Sequence, residues 1–224
     1  GEARRLALHR LVDRRRLGAL LLGRTDPGAG ACDLHRADDG VELDRDETLQ
    51  GAVLFVVIDE HRGRLPVETV LGNSTVTLHG PNGESVKAPK ASDLAGKGEG
   101  WYLDLPGNPL NPGCDYEQWF QQASAGKQPT LYARLAPDAE HPSQIALQYW
   151  FFWSYNDWND KHEGDWEMVQ ILFPASSAAQ ALTVTPLSTA FAQHEGSETS
   201  SWTDPKLHKD GDHIAVYPGE GSHA

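Results

Sequence analysis

QYWFFWSY, residues 148–155, is the most aromatic stretch of this chain and decides its fold. The surrounding run from Ile145 to Tyr155 is apolar on both faces, which predicts a central strand packed between two layers. A polar turn over 156–164 follows, and residues 165–173 return as a strand that we expect to pair antiparallel with the first. We therefore predict a mostly β protein, a β-sandwich with long loops and an N-terminal helical extension.

The polar turn ends in a short acidic motif, HEGDWE, residues 162–167. Side chains two positions apart on a strand share a face, so Asp165 and Glu167 should point to one face and Trp166 to the other. Hard divalent cations prefer oxygen ligands, and several of them accept a neutral imidazole. His162, Asp165 and Glu167 are therefore the predicted core of a metal site. The alternative is a charged strand end with a surface histidine.

Two standard metal motifs do not fit this segment. The zincin helix motif needs a second His where Trp166 stands. A loop starting at Asp157 resembles an EF-hand, but His162 replaces the required Gly and Glu167 comes too early. The triplet HEG recurs further along the chain, which makes His194 a further candidate ligand, with a plain surface histidine as the alternative.

Composition limits the class of protein. The 224 residues include 14 Pro, 22 Gly and 7 Trp, which together with short apolar runs favours a single β-rich domain with many turns. The net charge of −13 argues against nucleic acid as a partner, because phosphate binding needs a basic surface. No apolar run reaches the roughly 20 residues of a membrane-spanning helix, and no signal peptide is visible. Cys32 and Cys114 are too few for a thiolate metal site but sufficient for one disulfide.

The pattern of residues divides the chain near position 50. Residues 1–50 predict an Arg-rich helix followed by a polar linker, and residues 51–224 predict the β-sandwich domain. Besides the two central strands, strands are predicted at 51–58, 73–79, 101–105, 130–135, 183–192 and 214–217, and a short helix at 115–122.

Several motifs, taken in order, resemble the family named for vacuolar protein sorting-associated protein 62. The resemblance is carried by LQYWFF at 147–152, YNDW at 155–158, HEGDWEMVQ at 162–170, QHEG at 193–196, Trp202 and GSHA at 221–224. It is specific over 101–224 and faint over 51–100. It implies that the domain continues past Ala224, so closing strands are expected to be missing from this chain.

The core His-x-x-Asp-Trp-Glu is also similar, more distantly, to the heptapeptide of the necrosis- and ethylene-inducing cytolysins. That resemblance implies a secreted β-sandwich whose cleft holds a divalent cation and binds the sugar headgroup of membrane sphingolipids. On this sequence the metal ligands of that site, the last two as best matches, fall on His162, Asp165, Glu167, Asp157 and His194. The sequence departs from the heptapeptide at Gly164, which replaces its second His, and Asp157 stands closer to the motif than in the cytolysins.

Three functions are compatible with these residues. The first is a glycan or glycolipid binder at a membrane surface that depends on Ca²⁺ or Mg²⁺, with Trp158, Glu163 and His223 as ligand-binding residues. The second is a metal-dependent hydrolase in which Glu163 acts as general base. The third is a structural or trafficking interaction protein whose metal only pins the 156–167 loop. Glu163 pointing into the cleft would favour the hydrolase, and the expected location is secreted or membrane-peripheral.

Overall fold

The computed structural model describes residues 55–56, 65–193, 196–219 and 221–223. The strands, in chain order, are β1 (Phe55–Val56), β2 (Thr77–His79), β3 (Ser85–Lys87), β4 (Tyr102–Asp104), β5 (Tyr132–Pro137), β6 (Ile145–Asn156), β7 (His162–Phe173), β8 (Ser188–Gln193), β9 (Gly196–Ser201), β10 (Lys209–Asp210) and β11 (His213–Val216). The helices are α1 (Ala91–Leu94), α2 (Asp115–Ser124) and α3 (Ala178–Ala181), with a 3-10 turn at Val67–Thr69. None of the described helices has the length and apolar character needed to span a membrane.

The aromatic stretch lies in β6, the second strand of a five-stranded sheet with the order β5-β6-β7-β8-β9. Every neighbouring pair in this sheet is antiparallel, and β6 pairs with β7 from Ile145↔Phe173 to Asn156↔His162. The predicted antiparallel pairing of the two central strands is therefore confirmed. The prediction of a mostly β protein is confirmed as well, since antiparallel sheets dominate the described part of the chain.

Apolar side chains cover both faces of the central sheet. On one face Phe151 and Trp153 pack in a cluster with Trp202 and with Ile214 of β11, which belongs to a small sheet of order β1-β11-β10. On the other face Phe152 packs in a second cluster with residues of α2 and of the sheet β3-β2-β4. Each large side chain buried in this way stabilises the fold by about 1.5–3 kcal/mol. The aromatic stretch thus joins both layers.

Most predicted elements appear near their predicted bounds, among them α2 and the strands β2, β4, β5 and β11. The segment predicted as a strand over 183–192 differs, because the strand begins only at Ser188. Thr183 and Val184 instead lie in the turn that follows α3, where their backbone N–H groups donate to the carbonyls of Gln180 and Ala181. Pro186 lacks an N–H and so cannot extend the ladder of β8 in this direction.

The predicted N-terminal helix and linker, residues 1–50, lie outside the described residues, as does most of the strand predicted at 51–58. Cys114, at the N-terminus of α2, is disulfide-bonded. A structural disulfide is typical of proteins that work in an oxidising compartment.

Candidate functional site

The HEGDWE motif lies at the end of the central sheet where the turn between β6 and β7 meets the segment 221–223. The backbone N–H of Asp157 donates a hydrogen bond to the carbonyl of Gly221 at 2.9 Å. Gly221 has a φ of +78°, and a Cβ at this position would lie 3.1 Å from the Asp157 carbonyl oxygen. Glycine therefore allows the two backbones to meet, and the segment brings His223 to the motif.

Gly164 interrupts the alternation of faces at the start of β7. Its φ of +74° is in the left-handed region, which bends a strand and re-aims the side chains before it. Beyond it, Asp165 and Glu167 lie opposite Trp153 and Phe151 in the ladder and share their buried face. The prediction that these two carboxylates occupy one face is confirmed, and we call Asp165 and Glu167 the carboxylate pair.

Glu163 lies on the opposite face of the sheet from the carboxylate pair. Its carboxylate accepts hydrogen bonds from the backbone N–H of Leu105, at 2.8 Å, and from the hydroxyl of Tyr116. The Tyr116 ring stacks on Tyr155 at a centroid distance of 4.1 Å and an interplanar angle of 3°. Burial raises the pKa of Glu163, although both hydrogen bonds lower it. Glu163 is thus held away from the carboxylate pair, and the hydrolase hypothesis with Glu163 as general base gains no geometric support.

Asp165 is buried and held by two side-chain donors. Its Oδ2 accepts hydrogen bonds from Asn156 Nδ2 at 2.9 Å and from His223 Nδ1 at 2.8 Å. Burial, the largest influence, raises the pKa of Asp165, but the hydrogen bonds from His223 and Asn156 and the charges of the nearby histidines together lower it below its ordinary value. Asp165 is therefore ionised at neutral pH, with Oδ1 as the oxygen that these two donors leave available.

His223 is an internal partner of Asp165. Its side chain is fully buried, and its ring stacks on the indole of Trp153 at a centroid distance of 4.5 Å and an interplanar angle of 9°. Since an ionised carboxylate only accepts hydrogen bonds, Nδ1 of His223 carries the proton. The sequence predicted His223 as a ligand-binding residue, whereas the structure places it behind Asp165, where it fixes that carboxylate.

His162 stands beside the carboxylate pair with its ring partly exposed. Its Nε2 lies 3.5 Å from Asp165 Oδ1, and its Nδ1 lies 3.1 Å from the carbonyl oxygen of Asp160. A carbonyl accepts and cannot donate, so Nδ1 carries a hydrogen, and in the neutral form of the ring the lone pair is on Nε2. This is the tautomer that coordinates a metal through Nε2 while the other nitrogen is held by a backbone carbonyl.

Glu167 is the least compensated charge of the group. Only 7% of the residue's surface is exposed, and no described residue donates a hydrogen bond to its carboxylate, whose oxygens keep a small contact with solvent. Burial and the charge of Asp165 raise the pKa of Glu167 and His223 lowers it, with the net result of a pKa of about 7. A buried carboxylate without a donor is costly unless a cation neutralises it.

The remaining predicted site residues are divided between the turn and the undescribed part of the chain. Asp157 pairs with Lys161, with Oδ1 and Nζ 3.0 Å apart. Trp158 is 52% exposed at the turn, where its backbone N–H donates to Asn156 Oδ1 at 3.0 Å. His194 lies outside the described residues.

The side chains of His162, Asp165 and Glu167 are of the types that bind a hard cation, although they do not converge on a single point. Within the described ranges, no three His, Cys, Asp or Glu side chains converge in the way that bound ligands do. His162, Asp165 and Glu167 nonetheless supply one imidazole nitrogen and two carboxylates at one end of the sheet, which is a set that Ca²⁺ or Mg²⁺ accepts.

Sequence reasoning missed one residue of this site, Asn156. It is completely buried, and its Nδ2 donates to Asp165 Oδ2 and, at 3.2 Å, to the carbonyl of Ser222. The available signal was a polar amide at the end of an otherwise apolar strand, since such a group is buried only where its hydrogen bonds are met.

No family model and no curated protein matches this chain, so the resemblance to the family of vacuolar protein sorting-associated protein 62 gains no support. The similar solved structures are necrosis- and ethylene-inducing proteins. NLPPya in complex with glucosamine has 20% identity and a TM-score of 0.35, over 44% of this chain and 43% of that one. Necrosis and Ethylene inducing Protein 2 from the causal agent of cocoa's Witches Broom disease has 16% identity and a TM-score of 0.33, over 74% and 69%. The non-toxic HaNLP3 protein has 17% identity and a TM-score of 0.32, over 40% and 39%.

The chain thus spans less than half of NLPPya and of HaNLP3. At TM-scores of this size the likeness does not transfer a function. The function must therefore be inferred from the side chains at the end of the central sheet.

Proposed function

We propose that the chain binds a divalent cation at the carboxylate pair and, through that cation, the hydroxyl groups of a glycan or glycolipid headgroup. The observation that carries the proposal is Glu167, a buried carboxylate that no described residue hydrogen-bonds, two positions from an ionised Asp165. Two carboxylates held this close repel each other, and a cation between them removes the repulsion and the cost of burial together.

The ligands in this proposal are the carboxylate of Glu167, Oδ1 of Asp165 and Nε2 of His162. Asn156 and His223 occupy the other oxygen of Asp165 and so orient the ligand oxygen, as the outer partners of metal ligands commonly do. Oxygen ligands predominate, which favours Ca²⁺ or Mg²⁺ over Zn²⁺. Three protein ligands leave coordination positions for hydroxyl groups or water.

A carbohydrate suits this arrangement because it offers both vicinal hydroxyls for a cation and an apolar ring face. Trp158, on the turn that borders the site, is 52% exposed and provides an indole on which a sugar ring can stack. The disulfide at Cys114 is consistent with a secreted protein that meets such glycans at a membrane surface.

Metal binding is tested first, by calorimetric titration of chelator-treated protein with Ca²⁺ and with Mg²⁺. We expect one equivalent to bind, and we expect Glu167→Gln and Asp165→Asn to lower the affinity at least about tenfold. The matched control is Glu140→Gln, which changes an exposed carboxylate beside β6 at the opposite end of the strand. Binding of neither metal to the wild-type protein would refute the proposal.

Glycan binding is tested next, on an array of glycans and glycolipids with and without chelator. We expect the bound ligands to be lost with the cation and to be weakened by Trp158→Ala, which leaves metal affinity unchanged. Metal binding without any glycan or lipid ligand would instead indicate that the cation only stabilises the 156–167 loop. Protein thermal stability with and without metal measures that structural contribution.

A further inference from the structure

A second cleft lies on the face of β6 and β7 that does not carry the carboxylate pair. Its volume is about 420 Å³, and it is bordered by the central sheet and by the loop and strand that contain residues 94–105. Four aromatic and two charged side chains are among those that line it, namely Trp101, Tyr102, Phe152, Trp166, Lys97 and Glu163. A volume of several hundred cubic ångströms with aromatic walls and few charged groups is typical of a small-molecule site.

Glu163 gives this cleft a negative charge that no described side chain neutralises. Its two hydrogen bonds come from neutral donors, the backbone N–H of Leu105 and the hydroxyl of Tyr116. No Lys, Arg or His within the described ranges forms an ion pair with its carboxylate. A half-buried carboxylate in such surroundings is stabilised by a cation.

The aromatic side chains of the cleft can also bind a cation, since Trp101 already contacts the ammonium group of Lys97. Lys97 Nζ lies 3.8 Å from the centroid of the Trp101 ring, a distance typical of a cation–π contact. Trp166 and Tyr102 are 43% and 59% exposed, and among the described residues neither ring carries a cation. One face of Tyr102 stacks on His79 at a centroid distance of 5.3 Å, and Trp166 contacts Phe152 at 4.9 Å. The exposed parts of the two rings that these neighbours leave uncovered remain available to a ligand.

We propose that this cleft binds an organic ammonium cation, with its charge near Glu163 and its apolar groups against Trp166 and Tyr102. An anionic ligand would be repelled by Glu163, and a neutral one would leave that carboxylate uncompensated. Lys97 is the only cationic side chain that lines the cleft in the described part of the chain, and it reduces the affinity for such a ligand. The site lies on the opposite face from the carboxylate pair, so it does not depend on the proposed divalent cation.

Calorimetric titration with choline chloride, and with tetramethylammonium chloride, tests the charge requirement at constant ionic strength. The neutral probe is 3,3-dimethylbutan-1-ol, which has nearly the shape of choline without its charge. We expect saturable binding of both cations and at least about tenfold weaker binding of the alcohol, the size of a desolvated cation–π contribution. Equal binding of choline and the alcohol, or no saturable binding of either cation, would overturn the proposal.

Three substitutions test the placement of the ligand, two of them expected to weaken choline binding and one expected to tighten it. Glu163→Gln removes the carboxylate charge and Trp166→Leu removes the aromatic wall, so both should weaken choline binding by about tenfold. Lys97→Gln removes the competing cation and should tighten it severalfold. Glu140→Gln serves as the control and should leave it unchanged. Weaker binding in Lys97→Gln would contradict the proposal even if Glu163→Gln failed to fold.

Vesicles distinguish the two sources of such a group. Sedimentation with phosphatidylcholine vesicles, but not with phosphatidylglycerol vesicles, and its competition by choline would identify a lipid headgroup as the source. Choline binding without vesicle binding would identify a free amine. Choline binding should persist in chelator, and its loss there would overturn the independence of the two sites.

Discussion

His223 Nδ1 lies 2.8 Å from Asp165 Oδ2, although the two residues are 58 positions apart in the chain. The same ring stacks on Trp153, so the imidazole is fixed both in its plane and along its hydrogen bond. One oxygen of Asp165 is thereby occupied, and the other is presented toward His162. His223, which is fully buried, therefore fixes the orientation of the Asp165 carboxylate without being exposed itself.

Replacing His223 should therefore weaken metal binding without removing a ligand. We expect His223→Phe, which keeps a ring on Trp153 but cannot donate to Asp165, to lower Ca²⁺ affinity by about ten- to a hundredfold. His223→Ala should lose the same affinity and, in addition, about 1 kcal/mol of stability from the aromatic pair. Calorimetric titration and urea unfolding of both variants measure the two effects. Wild-type affinity in His223→Phe would show that Asp165 needs no such support.

Asn156 should be important for stability, because its amide serves three partners in the interior. Asn156→Ala leaves Asp165 without one donor, and it leaves the Ser222 carbonyl and the Trp158 backbone N–H without their partner. We expect a loss of about 3 kcal/mol in the free energy of unfolding. Asn111→Ala, at an exposed position, should change it by no more than about 0.5 kcal/mol. Equal losses in the two variants would contradict this account of Asn156.

Substitution of Gly164 should show how much stability is lost when another residue takes its left-handed backbone conformation. A Cβ at this position would meet only Phe152, at an ordinary contact distance of 3.7 Å, so crowding is not the obstacle. We expect Gly164→Ala to lower stability by about 1–2 kcal/mol, because an L residue is strained at this φ. Gly164→Asn should cost less, since Asn tolerates that region. We expect the urea midpoint of unfolding to be highest for the wild type, lower for Gly164→Asn and lowest for Gly164→Ala. A higher midpoint for Gly164→Ala than for Gly164→Asn would contradict this prediction.

The pH dependence of stability should differ between metal-free and metal-bound protein. The folded state of metal-free protein keeps the Glu167 proton up to a pKa of about 7, whereas the unfolded chain releases it near 4.5. The folded state therefore binds more protons between these values, so this residue makes stability fall as the pH rises through that window, by up to about 3 kcal/mol. Saturating Ca²⁺, which binds the ionised carboxylate, should reverse the slope.

Glu167→Gln provides the comparison that isolates this residue from the other titrating groups. The difference in unfolding free energy between wild type and Glu167→Gln in chelator should grow from pH 4.5 to pH 7 and then level off. A difference that is independent of pH would show that Glu167 titrates normally and that its burial carries no electrostatic cost.

The alternation of side chains between the two faces of a strand predicted the placement of the carboxylate pair. Because β7 is regular from Asp165 onward, a period of two placed the carboxylate pair on a single face. The same period of two would place Glu163 on that face as well. This prediction is wrong, because the positive φ of Gly164 breaks the alternation and Glu163 points to the opposite face of the sheet. A local pattern cannot reveal which glycines take that conformation.

The placement of Asn156 and His223 depends on tertiary contacts that cannot be predicted from the spacing of residues in the sequence. Asn156 and His223 meet at Asp165 only because the segment 221–223 packs on the turn between β6 and β7. The sequence marked His223 as part of a motif, but a pairing across 58 residues is a property of the tertiary structure. The cleft at Trp166 and Lys97 likewise arises from two parts of the chain that are distant in sequence.

The docking of the segment 221–223 also has a consequence for biosynthesis. A chain emerging from the ribosome exposes β6 and β7, with Asp165 between them, well before His223 has been made. During that interval Asp165 lacks one of its two side-chain donors and the Trp153 indole lacks its cover. Asp165 therefore acquires its full set of side-chain donors only after residues 221–223 have been made and have packed on the turn between β6 and β7.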